Sequence, residues 1–172
     1  MARRRSALRN RVEVVAFEAA VRFFGALPAE RAEAIGRGLG LAFRAGSASR
    51  RRIAEANLAR AFPAMPRGEV QAISRDVFAH FGGIAADLVH MLSEDTGAML
   101  GRVEIAGEER ARSAVAEGRG VFFLTAHLGN WELGALAAAT LGLAMTVVAR
   151  PLDNPVLEER LRAFREIGRA HV

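Results

Sequence analysis

An uncharged run, Val121-Phe-Phe-Leu-Thr-Ala126, stands between Gly120 and the turn residues Leu128, Gly129 and Asn130. Apolar but for Thr125, it reads as a strand covered on both faces. Gly129 or Asn130 then opens a helix through about Leu141. The flanking segments continue the alternation. Val103-Glu-Ile105 alternates like a strand, Glu108–Glu117 is helical and is stopped by Gly118 and Gly120, Leu143–Ala149 is apolar again, and Pro155–Arg165 is helical. From about residue 102 the expectation is therefore α/β: the start of a mostly parallel sheet flanked by helices. Sites in such sheets lie beyond the carboxyl ends of strands, which is where His127 falls.

Residues 29–101 read as a helical region. Pro28 can start a helix over Ala29–Arg44, where apolar positions recur at helical spacing. Gly46-Ser47 breaks it, and Ser47 or Ser49 can cap the next helix through about Arg60. That helix has Arg50, Arg51 and Arg52 in its first turn, where the macrodipole disfavours cations. A bound anion or a solvated face would each make this tolerable. Pro63 and Pro66 mark another break, and Gly68–Leu92 continues as a long helix in which His80 and His90 read as structural or exposed.

Charge separates the front of the chain from the rest. Every basic residue is Arg; with the many Ala and Gly, this points to GC-rich coding. Residues 1–60 hold 13 Arg and 5 acids, whereas 61–172 hold 11 Arg and 14 acids. A basic front end suits an anionic surface. Arg3, Arg4, Arg5, Arg9 and Arg11 precede Val12–Leu27, whose only charges are Glu13, Glu18 and Arg22, the last two spaced to pair. The segment falls short of the roughly 20 residues needed to span a bilayer. Residues 1–28 thus read as a membrane-associating helix lying in or shallowly inserted into the interface, with a buried core helix as the alternative. No aromatic platform or recognition motif accompanies the arginines, which speaks against nucleic acid. With no Cys there are neither disulfides nor thiolate metal sites, and no metal-ligand spacing stands out.

His127 and Glu132 are the titratable pair at the expected strand end. An imidazole titrates near pH ~6.5 and can take a proton from an alcohol. A carboxylate on its other nitrogen would fix the tautomer and stabilise the imidazolium. On one continuous helix residues five apart diverge by about 140°, so the pair requires His127 in the turn and Glu132 in the first helical turn. Asn130 as N-cap would give that geometry, with the helix amides presented to a developing oxyanion. The spacing alone is weak, since about one residue in nine is acidic.

The block FFLTAHLGNWELGA resembles the H-x4-D/E motif of the bacterial lipid A biosynthesis acyltransferases of the lauroyl and myristoyl type, within the glycerolipid acyltransferase superfamily. Gly129-Asn-Trp-Glu132 is specific to that branch. Arg52-x4-Asn57-Leu58-x3-Phe62-Pro63 resembles the family's upstream segment, and Val148-Ala-Arg150-Pro-Leu-Asp-Asn154-Pro155 its second block. The resemblance implies an enzyme at the cytoplasmic face of the bacterial inner membrane. It implies His127 as general base, Glu132 as its partner, and substrate binding by Arg150, Asn130 and Gly129, with Asn154 shaping the loop. The donor would be an acyl thioester on acyl carrier protein, the acceptor a hydroxyl of a membrane glycolipid, and no cofactor or metal would be needed.

Members of that family run well beyond this length. The last residues, Ile167-Gly-Arg-Ala-His-Val172, are identical to one translated frame of a common sequencing-library adapter. The expectation is an N-terminal fragment: 102–165 the first part of the acyltransferase domain, 166–172 non-native read-through, poor solubility and no turnover on its own. Two other readings stand beside the favoured one. A phosphatidylinositol mannoside acyltransferase using acyl-CoA shares the motif, and a non-catalytic membrane-binding protein could retain the fold.

Overall fold

The computed structural model describes residues 6–93, 100, 101, 103–126, 128–140, 145, 146, 148, 150–167, 170 and 171. In order these form α1 (Ala7–Gly25), α2 (Ala29–Gly46), α3 (Ala48–Ala61), α4 (Arg67–Met91), α5 (Glu108–Ala116), α6 (Trp131–Thr140), β1 (Met145–Thr146), α7 (Pro155–Ile167) and β2 (Ala170–His171). The chain divides into two units, one of residues 20–93 and one of residues 1–19 with 94–172.

Backbone chemistry sets the breaks in the first unit. The carbonyl of Pro28 accepts the N–H of Ala32 at 3.0 Å, and that of Pro66 accepts the N–H of Val70 at 3.1 Å, so each proline stands just before a helix. Proline has no N–H to lose there and holds a φ that the chain can adopt on entering the helix. Between α2 and α3 a single residue serves both ends. The N–H of Ser47 donates to Phe43 O at 2.9 Å, and its carbonyl accepts from Arg51 N at 3.0 Å. Its hydroxyl makes no capping bond, so the backbone alone joins the two helices.

α2 and α4 pack antiparallel and unusually closely. A Cβ at Gly36 would run into the carbonyl oxygen of Gly82, one at Gly82 into that of Gly36, and one at Gly40 into that of Phe78. Backbone cannot yield as a side-chain tip can, so only glycine permits this approach. Beside the seam Phe24, Ala32 and Ala86 are buried together, with Ala20, Leu27 and Val89 packed against them. Gly82→Val is expected to lower stability by about 3 kcal/mol through overpacking. Gly38, which faces open space in the same helix, is the internal control: Gly38→Ala should raise stability by about 0.5–1 kcal/mol. Thermal melts of the two variants check both signs.

His90, near the end of α4, is buried, and its Nδ1 lies 2.9 Å from the carbonyl oxygen of Phe24. A carbonyl only accepts, so Nδ1 carries the proton. This histidine ties α4 to the end of α1.

The expected α/β layer with a mostly parallel sheet is corrected by the structure. Among the described residues the regular secondary structure is helical apart from one pairing, Met145–Thr146 alongside Ala170–His171 in parallel. Val103–Ile105 and Val121–Ala126 do not adopt strand structure. Phe122 and Leu124 are fully exposed rather than covered on both faces. Leu143, Ala144, Val147 and Ala149, from the last expected strand, lie outside the described residues. The physical reason is pairing. An apolar, β-prone sequence favours extended backbone, but a strand exists only where a neighbour takes its N–H and C=O groups.

Helices hold the second unit together instead. Leu136 and Ala137 of α6 and Phe164 of α7 are buried. Asn154, just ahead of α7, is 2% exposed. Its Nδ2 donates to the carbonyl of Asn10 and to Glu13 Oε2, both at 3.1 Å, while its Oδ1 accepts from Val156 N at 3.2 Å. One side chain thus shapes the loop, caps α7 and fastens it to α1. Arg160 and Glu18 add an ion pair at 2.7 Å between the same helices.

Candidate active site

Of the expected site residues, Gly129, Asn130 and Glu132 occupy the entry to α6. His127 lies outside the described residues. Gly129 has φ +61°, in the left-handed region where a residue with a Cβ is strained. That conformation turns the chain from the extended segment into the helix.

Asn130 follows as the cap. Its Oδ1 accepts the N–H of Leu133 at 3.1 Å, and its carbonyl accepts the N–H of Gly134 at the same distance. One amide at the helix entry is satisfied by this side chain, in the manner that favours Asn at such positions. Asn130→Ala should reduce stability by about 1 kcal/mol, read as a lower denaturant midpoint at unchanged slope.

Glu132 sits in the first turn of α6, where the positive end of the helix dipole favours a carboxylate. It is 8% exposed. Its Oε1 accepts from Arg165 Nη2 at 2.6 Å and its Oε2 from Arg165 Nε at 3.0 Å. The arrangement is a bidentate fork, the strongest geometry available to a guanidinium and a carboxylate. The Arg165 guanidinium is pushed above its ordinary value by its hydrogen bond to Glu132, which outweighs the opposing effect of burial.

Arg165 was not among the expected site residues, and no local pattern marks it. It lies on α7, 33 positions along the chain from its partner. The one available hint is physical: a carboxylate buried at a helix entry requires a cation or several donors around it.

Arg150 stands elsewhere in the same unit. Its side chain is 88% exposed, with Nη2 3.4 Å from Asp153 Oδ1. A pair so open to water contributes little to stability, leaving the planar head accessible to an anion. The structure therefore brings Gly129, Asn130 and Glu132 together, joins Arg165 to them, and sets Arg150 beside Asp153. Among the described residues no three His, Cys, Asp or Glu side chains gather as a metal site.

No curated protein and no solved structure matches the chain. A family model described as bacterial lipid A biosynthesis acyltransferase matches residues 3–170.

Proposed function

The chain belongs to the bacterial lipid A biosynthesis acyltransferase family, a family of enzymes that act on lipid-related substrates, and on that premise we propose that it moves a fatty acyl group from the thioester of acyl carrier protein to a hydroxyl of a lipid A precursor. The observation that carries this reading is the family match across residues 3–170, which takes in the whole His127-Leu-Gly-Asn-Trp-Glu132 block.

In the proposed reaction the imidazole of His127 takes the proton of the acceptor hydroxyl as its oxygen attacks the thioester carbonyl. The tetrahedral oxyanion forms near the amides at the entry to α6, where helix geometry favours negative charge. Collapse expels the thiolate, which recovers the proton from the imidazolium and leaves as the carrier's thiol. Glu132 orients the imidazole and stabilises its charged form. Its fork with Arg165 is compatible with that role, because each carboxylate oxygen retains a second acceptor direction. Arg150 binds a phosphate of the acceptor or of the carrier's phosphopantetheine through its accessible guanidinium. Asn130 and Gly129 shape the entry through which both substrates reach the base.

The working place is the cytoplasmic face of the bacterial inner membrane. No described helix is long and apolar enough to cross a membrane. Support for an in-plane attachment comes from α1, where Leu8, Val12 and Val15 are all exposed. Their spacing of four and three places them on one helical face, behind the arginines of the first eleven residues. Such a face seats an interfacial helix with guanidiniums among the headgroups.

Labelled-acyl transfer by the protein as its gene encodes it tests the proposal. Acyl carrier protein and coenzyme A thioesters are offered in turn, each with a lipid A precursor and with a phosphatidylinositol mannoside. Label should pass from the carrier-protein thioester to the lipid A precursor. Transfer to the mannoside from acyl-CoA alone would move the assignment to that branch, and transfer to neither would remove it.

A further inference from the structure

The first part of α1 has two unlike faces. At about 100° per residue, Asn10, Glu13, Val14, Phe17 and Glu18 fall on one side, and each is partly buried. Leu8, Val12 and Val15 fall on the opposite side and are exposed. Arg9 and Arg11, both exposed, lie on either side of that apolar stripe. The inner face is held from α7. Asn154 Nδ2 donates to the Asn10 carbonyl and to Glu13 Oε2, and Arg160 pairs with Glu18.

The same helix reaches the candidate active site. α7 carries Arg165, whose fork holds both oxygens of Glu132 at the entry to α6. A series of polar contacts therefore runs from α1 through Asn154 and Arg160 along α7 to Glu132, and every link lies within the unit of residues 1–19 and 94–172. Asn154 is its tightest joint. The residue is 2% exposed, and both acceptors for its Nδ2 belong to α1. Were α1 to lift away, that buried amide would lose its partners, a cost greater than the bonds are worth when made. The start of α7, which Asn154 Oδ1 caps through Val156 N, thus depends on α1 being docked.

Helices below about 12–15 residues are marginal alone in water, and residues 7–19 of α1 are no longer than that. Val12, Val14 and Val15 weaken the helix further, because branched side chains lose rotamer freedom in it. Docking on α7 and seating on a lipid surface require the same helix but use opposite faces of it. Its ordering entropy is lost once, so either contact strengthens the other, and the strengthening is reciprocal. We propose that Asn154 and Arg160 are positioning residues through which an anionic lipid surface, bound along Leu8, Val12 and Val15, fixes Arg165 and Glu132 for acyl transfer. The lipid surface is then an activator of the site. This rests on the acyl-transfer role of Glu132 and the interfacial seating of α1 given under the proposed function.

Vesicles of phosphatidylglycerol and phosphatidylcholine in equal parts test this on the intact chain. Trp131, the sole tryptophan, adjoins Glu132 at the entry to α6, so its emission reads that entry without any turnover. Vesicles should shift the emission and slow amide exchange in α7. Asn154→Asp separates the two duties of the residue: an aspartate still caps α7, but it has no Nδ2 to donate and it repels Glu13. This variant should bind vesicles at least fivefold more weakly, at the lower end of the roughly 5–150-fold usual for coupled sites. At saturating lipid it should show no Trp131 response, and kcat for acyl transfer should fall at least tenfold with KM for the thioester within twofold. Adding Glu13→Gln restores a donor facing the aspartate and should recover most of both losses. If circular dichroism shows Asn154→Asp unfolded, Glu13→Ala replaces it, with a severalfold loss of vesicle affinity and of the Trp131 response. Unchanged vesicle affinity and Trp131 response in Asn154→Asp would overturn the proposal, as would failure of Glu13→Gln to recover them. A parent chain that shows the lipid response but transfers no acyl group would remove the transferase reading and leave the coupling of α1 to α6 standing.

Discussion

His127→Ala is expected to lower the turnover of acyl transfer by about 10²–10⁴-fold, the range typical for loss of a positioned general base. That corresponds to about 3–5 kcal/mol of transition-state stabilisation. The ground state of the reaction needs no proton transfer, so the Michaelis constants for both substrates should change little. Arg150→Ala supplies the contrast. Its guanidinium is exposed and is assigned to phosphate binding, so its loss should raise a Michaelis constant while turnover is largely kept. Steady-state kinetics with labelled donor separate the two patterns. Acyl transfer unchanged in His127→Ala would remove this residue as the base and favour a membrane-binding protein that retains the fold.

Arg165→Met should destabilise the fold by about 3–5 kcal/mol, the usual penalty for taking one partner from a buried ion pair. The side chains of Arg165 and Glu132 are only 14% and 9% exposed, so water cannot replace the lost donors freely. The carboxylate would remain at the start of α6 with its fork removed. A second substitution distinguishes this from lost packing. Removing both charges with Glu132→Leu, Arg165→Met should recover most of the loss, because apolar groups of similar size can replace a buried pair nearly neutrally. Urea denaturation of the three proteins measures both quantities. If Arg165→Met shifts the midpoint no more than an exposed ion pair would, the fork is structurally incidental.

The helices were legible because their signals are local. Apolar spacing, Pro28, Pro66 and the Gly46-Ser47 break place α2, α3 and α4 within two residues of where they fall. Asn130 as a cap was readable for the same reason: a short polar side chain before an apolar helical run has one favourable use. The expected sheet does not form among the described residues, and that outcome was not legible. The pattern of Val121–Ala126 expresses a preference for extended backbone and burial, but nothing in those six residues states whether a partner strand exists. Long-range pairs were equally hidden. Glu132 could be picked out beside His127 by spacing, whereas its fork with Arg165 depends on how α6 and α7 pack. The three consecutive arginines of α3 stand out as a charge run, but Arg44 and Arg67, which line a cavity with two of them, Arg51 and Arg52, come from other helices.

The division of the chain has a consequence for synthesis on the ribosome. Residues 20–93 are one uninterrupted stretch, so the glycine seam between α2 and α4 can close as soon as Met91 has emerged. The other unit is assembled from both ends of the chain. Glu13 and Glu18 are made early but meet Asn154 and Arg160 only after more than a hundred further residues. At about 5–20 residues per second, the first part of α1 waits roughly 7 to 28 seconds for these partners. During that interval Leu8, Val12 and Val15 are already outside the ribosome, and a nearby lipid surface could receive them before their own domain exists.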